Sequence, residues 1–186
     1  MTDTALAATL YGAEDLRMVE RPLGTLEPGM VRIRFGAGGI CGSDMHYFRH
    51  ARTGDFVVTS PLVLGHEVAG EIVELGSGVT GLSVGDHVAV NPSRWCGHCT
   101  RCREGRENLC ENIYFMGSAS KTPHMQGGFA SLFDATAAQC IKVPKELHGR
   151  RRHWPNRWRS ACTRSPAPAR WKAARPLCSG PALSAC

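Results

Sequence analysis

Between residues 30 and 35, apolar Val31, Ile33 and Phe35 alternate with Arg32 and Arg34, directly after a Pro28-Gly29 pair. A period of two puts one set of side chains on a core and the other in solvent, which predicts a half-buried strand. Apolar-rich residues 68–75 and 87–90 predict two more strands, joined by a glycine-rich turn over residues 76–85. Residues 129–133 and 139–143 predict a further pair, the second ended by Pro144, which has no N–H for a ladder. No long amphipathic helix is evident before Lys145. The pattern predicts a mostly β, barrel-like domain with long loops.

One glycine motif requires a decision. Gly76-Ser77-Gly78-Val79-Thr80-Gly81 has the G-x-G-x-x-G spacing of a dinucleotide-binding turn and follows a predicted strand. That function needs a helix next, whose N-terminal N–H groups meet the pyrophosphate. Here Leu82-Ser83-Val84-Gly85-Asp86 leads into another strand. The motif is read as a hairpin turn, and residues 1–148 are expected to hold no cofactor-phosphate site.

Charge divides the chain. The 186 residues carry a formal net charge of +6. Residues 1–148 hold 13 basic and 16 acidic side chains, a net of −3, while residues 149–186 hold 9 basic and none acidic, a net of +9. The basic segment contains Arg150, Arg151 and Arg152, three of the four tryptophans and five of the eleven prolines. Its only large aliphatics are Leu177 and Leu183, in no helical or strand period, too few to offset the entropy of ordering it. Two domain-level units are expected: residues 1–148 as the folded domain and 149–186 as a basic tail. The tail reads as a disordered arm or as a coding region translated out of frame. No apolar run approaches the ~18 residues of a membrane span. The first 17 residues lack a basic start and a long apolar stretch, so no secretory signal is expected and a cytoplasmic location with reduced cysteines is.

Cysteine spacing carries the clearest chemistry. Cys96, Cys99, Cys102 and Cys110 form C-x2-C-x2-C-x7-C. Four thiolates on a short loop satisfy tetrahedral zinc and leave no open position, which makes the site structural. An iron–sulfur cluster is the rival; ferredoxins continue such a run with x3-C-P, whereas here the last gap is seven and Glu111 follows. Arg101, Arg103, Glu104, Arg106 and Glu107 read as the solvated face of this lobe. A second set is dispersed: Cys41 within Gly39-Ile40-Cys41-Gly42-Ser43-Asp44, and His66-Glu67 after Leu64-Gly65. Thiolate, imidazole and carboxylate are zinc ligands, and three protein ligands leave a position for water or substrate. Each residue taken singly reads more simply as core or surface; the four-cysteine loop downstream changes the balance.

With these motifs in place, residues 30–144 resemble the catalytic domain of the medium-chain, zinc-dependent alcohol and polyol dehydrogenases. The first metal motif through His46, Gly65-His66-Glu67, residues 76–90 and the four-cysteine lobe follow that family's order and spacing. Asn91-Pro92-Ser93, Phe115-Met116-Gly117-Ser118-Ala119 and residues 123–129 bring the resemblance nearest to the L-idonate 5-dehydrogenase branch, then to the sorbitol dehydrogenases. The resemblance implies a GroES-like β domain followed by a Rossmann domain for NAD or NADP, two zinc ions per full subunit, and dimers or tetramers.

It also implies roles. Cys41, His66 and Glu67 would hold the catalytic zinc, with Glu67 direct or displaced by water. Asp44 would orient the His66 imidazole. Ser43 would pass the substrate proton outward with His46 as a later relay, against plain readings as a loop hydroxyl and a surface histidine. Tyr47 and Phe115 would line the substrate pocket or belong to the core. His50, His87, His98, His124 and His148 receive no role. The implied reaction is oxidation of a secondary alcohol of a small polyol or sugar acid, with hydride passing to the nicotinamide.

The chain departs from the family after Pro144, where a Leu-Ala-Glu-Pro helix and the Rossmann fold are expected. Read one frame over, the codons of His153, Trp154 and Pro155 force Leu-Ala, and those of residues 179–185 permit Gly-Ala-Gly-Pro-Ile-Gly-Val, a dinucleotide fingerprint. A frameshifted gene product, inactive alone, is therefore expected. Two other classes remain: a stand-alone zinc-binding interaction module, and, behind it, a nucleic-acid binder acting through the Arg/Trp tail. No membrane partner is expected.

Overall fold

The computed structural model describes residues 4–144; the readings made on the tail lie outside the described residues. Within them run β1 (Thr4–Gly12), β2 (Asp15–Pro22), β3 (Met30–Gly39), α1 (Gly42–His50), β4 (Arg52–Thr53), β5 (Phe56–Val57) and β6 (Leu62–Val63). These are followed by β7 (Glu67–Leu75), β8 (His87–Val90), β9 (Ser93–Arg94), α2 (Thr100–Arg103), β10 (Tyr114–Phe115), β11 (Leu132–Thr136) and β12 (Cys140–Lys142). The expected β class holds, and the longer of the two α-helices described spans nine residues.

The main sheet has five antiparallel strands in the order β11-β3-β7-β8-β12, and a second sheet has the order β2-β1-β6. Val31, Ile33, Val68, Ile72, Val88, Val90, Met116, Phe133 and Ala135 form the main core. Leu10, Tyr47, Leu62, Leu64 and Ala119 form a smaller one under α1, and Phe129 packs against both. The predicted strand at 30–35 is the first part of β3, and the predicted strand at 87–90 coincides with β8. Residues 76–86 form the connection between antiparallel β7 and β8 with no helix, so the glycine motif there is a turn.

Two differences from the sequence pattern have clear causes. The strand expected at 129–133 joins the ladder only at Leu132, because the segment before it changes partners. Ala8 N–H donates to Phe129 O and Ser131 N–H to Leu6 O in the second sheet, while Phe35 N–H donates to Ser131 O in the first. Residues 127–131 thus stitch the two sheets together and give the fold its barrel-like closure. The β1–β2 hairpin was not evident in the sequence; β1 buries the small Ala5, Ala7 and Thr9 and, out of step with them, Leu10, while Leu6 is exposed, so no apolar period marks it.

Arg32 also departs from simple alternation. It points away from the main core as predicted, yet it is buried. Its guanidinium donates to both Asp134 oxygens at 2.9 and 3.1 Å, to Glu74 Oε2 at 2.9 Å and to Gly24 O at 2.7 Å. Asp134 and Glu74 flank it on β11 and β7, and the Asp134 carboxylate holds the Arg32 pKa above its ordinary value.

Candidate metal centres

Sheet register brings the dispersed motif together. On the β3–β7 ladder Gly39 pairs with Glu67, so the end of β3 and the start of β7 lie side by side. Two residues beyond Gly39 the chain reaches Cys41, and one residue before Glu67 stands His66. The Cys41 sulfur, a His66 nitrogen and a Glu67 oxygen all lie within 4.8 Å of one another. Ligands around a tetrahedral zinc ion are about 3.3–3.8 Å apart, so small inward side-chain rotations would close the set on one ion. His66 is buried while Cys41 and Glu67 are half-buried, which leaves one side of the set open.

Asp44 binds the two ligand segments to each other. Cys41 is the N-cap of α1 and Asp44 stands at N3, where a carboxylate reaches back to the cap. Cys41 N–H donates to Asp44 Oδ2 at 2.9 Å, and Gly65 N–H donates to Oδ1 at 3.2 Å. His66 Nδ1 is 3.7 Å from Oδ1, close enough for electrostatic support and too far for a good hydrogen bond. The expected support of the imidazole is therefore indirect in this geometry: Asp44 holds the backbone that carries it.

Gly65 is confined on several sides. Its φ of +95° suits glycine, its carbonyl accepts Gly128 N–H at 2.8 Å, and a Cβ there would fall on the Phe129 ring. A Cβ on Gly117 would lie 3.1 Å from Gly65 N and O, so residues 115–119 run directly against the turn that carries His66. The Phe115 ring lies 5.3 Å from the His66 ring, centroid to centroid.

The remaining predicted residues separate. Ser43 is half-buried in the first turn of α1, and His46 is exposed one turn further, its ring 6.1 Å from that of His50. Tyr47 lies on the packed side of α1. It is 3% exposed, packs in the smaller core, and its hydroxyl accepts Ala119 N–H at 3.1 Å. A further buried histidine, His124, carries no sequence signal of a site residue. Thr59 N–H donates to its Nε2 at 2.9 Å and Nδ1 faces Lys121 O at 2.9 Å, which requires the Nδ1–H tautomer.

The four-cysteine loop occupies residues 95–113, closed at its base by antiparallel β9 and β10, where Arg94 pairs with Tyr114. All four sulfurs lie within 4.8 Å of one another, and Cys96 Sγ is 3.9 Å from Cys102 Sγ. Sulfurs around one tetrahedral zinc would be about 3.8 Å apart. The set therefore fits a single ion and is too tight for the wider frame of a multi-iron cluster. Backbone N–H groups also face the sulfurs: Cys96 N–H and Asn112 N–H donate to Cys110 Sγ, and Cys99 N–H to Cys96 Sγ. Backbone donors from Cys102 and Glu111 lower the Cys99 pKa and one from Cys96 lowers that of Cys110, while desolvation raises Cys102. Four sulfurs this close together repel one another as thiolates, and a divalent cation among them would relieve that repulsion. On the outside, Glu104 pairs with Arg101 and Arg106 at 3.3 and 3.7 Å, all substantially exposed, as a solvated face would be.

Residues 27–145 match the family described as the alcohol dehydrogenase GroES-like domain. Among curated relatives, sorbitol dehydrogenase of Gallus gallus is 41% identical over 146 residues, 78% of this chain and 40% of that protein. L-idonate 5-dehydrogenase (NAD(P)(+)) of Escherichia coli K12 is 43% identical over 112 residues, 60% of this chain and 32% of that protein. The crystal structure of L-idonate 5-dehydrogenase from Escherichia coli superposes with a TM-score of 0.72 at 36% identity, covering 77% of this chain and 40% of that one. The chain thus spans about two-fifths of the length of such relatives. With residues 27–145 matched to its model, the chain belongs to the alcohol dehydrogenase GroES-like domain family.

Proposed function

We propose that this chain is the metal-binding, substrate-side portion of a zinc-dependent dehydrogenase acting on a secondary alcohol of a polyol or sugar acid. The observation that carries the reading is the convergence of Cys41, His66 and Glu67, with Asp44 bridging the backbone beneath two of them. Cys96, Cys99, Cys102 and Cys110 are assigned a structural zinc with no open position; Cys41, His66 and Glu67 are assigned the catalytic one. A zinc ion there supplies Lewis acidity that polarises the carbinol oxygen and lowers its pKa. Ser43 would relay the hydroxyl proton, taking it up as it releases its own toward solvent, and His46, on the exposed side of the same helix, would receive the released proton. Phe115 bounds the pocket beside His66. The hydride acceptor, NAD or NADP, is assigned to the length of the relatives that this chain does not span, since residues 76–86 form a turn and no dinucleotide cradle.

The substrate class comes from the relatives, which include sorbitol dehydrogenase, D-xylulose reductase A and L-idonate 5-dehydrogenase. A homo-oligomer and a cytoplasmic site of action belong to the same reading, as do the division at residue 148, the frameshift origin of residues 149–186 and the lack of turnover by the 186-residue chain alone. Metal analysis tests it. The purified chain should carry two zinc ions, with Cys99→Ser removing one and Cys41→Ser the other. Zinc bound at neither cluster would refute the assignment, and NAD-linked oxidation of sorbitol or L-idonate by this chain would refute the inactivity.

A further inference from the structure

We infer that His46 and His50 form a further metal site, outside both donor clusters, for zinc or another divalent transition ion that favours imidazole. The two stand four residues apart on α1, and both are exposed. Residues at that spacing lie one above the other on a helix face, the disposition by which an H-x-x-x-H run grasps zinc. Their rings are already neighbours, 6.1 Å between centroids and tilted by 39°. Two imidazoles bound to one tetrahedral zinc have centroids about 5 Å apart, so a closing movement of about 1 Å brings one nitrogen of each ring to a shared ion. Water completes the coordination. With two neutral donors the site is weaker than either thiolate-containing cluster, and it fills when zinc exceeds what they take.

The helix that carries the pair is held at its last turn. Ala51 N–H donates to Tyr47 O at 2.8 Å, Glu14 N–H to Phe48 O at 2.6 Å, and Val58 N–H to Ala51 O at 2.8 Å. Between the histidines, Tyr47 is packed in the smaller core. The backbone spacing of the two rings is therefore fixed before an ion arrives, and binding orders only two side chains. The end of the helix also favours a cation, because its last carbonyls carry partial negative charge. Arg49 opposes this, but it is exposed and about 100° round the helix from His50. The Arg52 guanidinium donates to Gly54 O. The functional meaning rests on the proposed proton relay. A neutral imidazole has one lone pair, and an ion on His46 takes the one that would receive the proton. Excess zinc would then close the relay that zinc at Cys41, His66 and Glu67 serves.

Zinc alone, added in excess to the full chain and followed by NMR of the histidine ring protons, tests the site at about pH 7.5, where an ordinary imidazole is neutral. The His46 and His50 resonances should move together along one binding curve. In His50→Gln, His46 should need about tenfold or more zinc for the same shift, because the second donor is no longer tethered beside the first. His50 should weaken as much in His46→Gln. Both positions are exposed, so neither variant disturbs the packed side of α1. His98, an exposed histidine whose Nδ1 faces Cys96 O, reports binding to a single surface imidazole. Resonances of the pair that stay in place, or that move only at the excess concentration that moves His98, would overturn the site. A His46 curve unchanged by His50→Gln would overturn the shared ion. Total bound metal, counted separately, reports the two donor clusters and bears on the proposed function alone, since the pair is read through its own rings.

Discussion

Asp44→Asn isolates the link between the two ligand segments. Asp44 is 3% exposed, and its two oxygens accept from different backbone donors, Cys41 N–H and Gly65 N–H. Asparagine keeps the shape but offers one oxygen and one NH2, so one backbone N–H meets another donor. Hydrogen bonds to charged groups contribute about 1.5–3 kcal/mol, and a buried donor left without an acceptor costs about 1–3 kcal/mol. Relief from burying a carboxylate offsets part of this. A net loss of about 2 kcal/mol is expected, which at a slope of about 2 kcal/mol/M moves a urea midpoint down by about 1 M. The measurement belongs in chelator, so that only the scaffold is read. Zinc affinity at the Cys41–His66–Glu67 set should then fall by about 10–100-fold, as for other groups that orient metal ligands from behind. A midpoint unchanged in chelator, with a loss seen only in the zinc-loaded protein, would refute the scaffold argument and return Asp44 to acting through the imidazole alone.

Two other outcomes concern side chains away from that site. Arg32→Leu leaves Asp134 and Glu74 without their shared cation; with both carboxylates partly exposed, a loss of about 2 kcal/mol is expected in urea unfolding. The Arg32 pKa is raised by Asp134, so its contribution is full below the ordinary arginine value and fades only above it; the cost of the substitution should be constant from about pH 6 to 9, and a cost that vanishes within that range would contradict the pairing. Burial pushes the Cys140 thiol up to about 12. Iodoacetamide at about pH 8 should therefore spare Cys140 with or without chelator, whereas Cys96, Cys99, Cys102 and Cys110 should be protected by zinc and alkylated after its removal; rapid labelling of Cys140 in the folded protein would be the contrary result.

Most of the site chemistry was legible because it is local. The four cysteines lie within fifteen residues, and a loop that short can close only on itself, so their spacing announces the cluster before any fold is known. The turn at residues 76–86 was legible for a similar reason, since the segment after a glycine motif decides its use. Less was readable where partners are remote. Tyr47 could be read as pocket or core, and its hydroxyl partner, Ala119, stands 72 positions away. Arg32 looked solvated because alternation reports a face and not what covers it; Asp134 lies 102 positions distant. Phe129 to Ser131 read as part of one strand, yet the ladder changes sheets there.

By itself, then, the amino-acid sequence determined the β class, the positions of the strands with large alternating side chains, and the donor types available for metal. These depend on periodicity and spacing along the chain, which need no fold to express. Only the tertiary structure decided that Cys41 stands beside His66 and Glu67, that Asp44 serves two backbone donors, and that the Tyr47 hydroxyl meets Ala119. Those relations are set by the β3–β7 register and by the packing of α1, and an antiparallel ladder can bring residues together from any separation. A one-residue slip of that ladder would turn Glu67 to the opposite face, which is why the site depends on Gly39 pairing with Glu67 as much as on the ligands themselves.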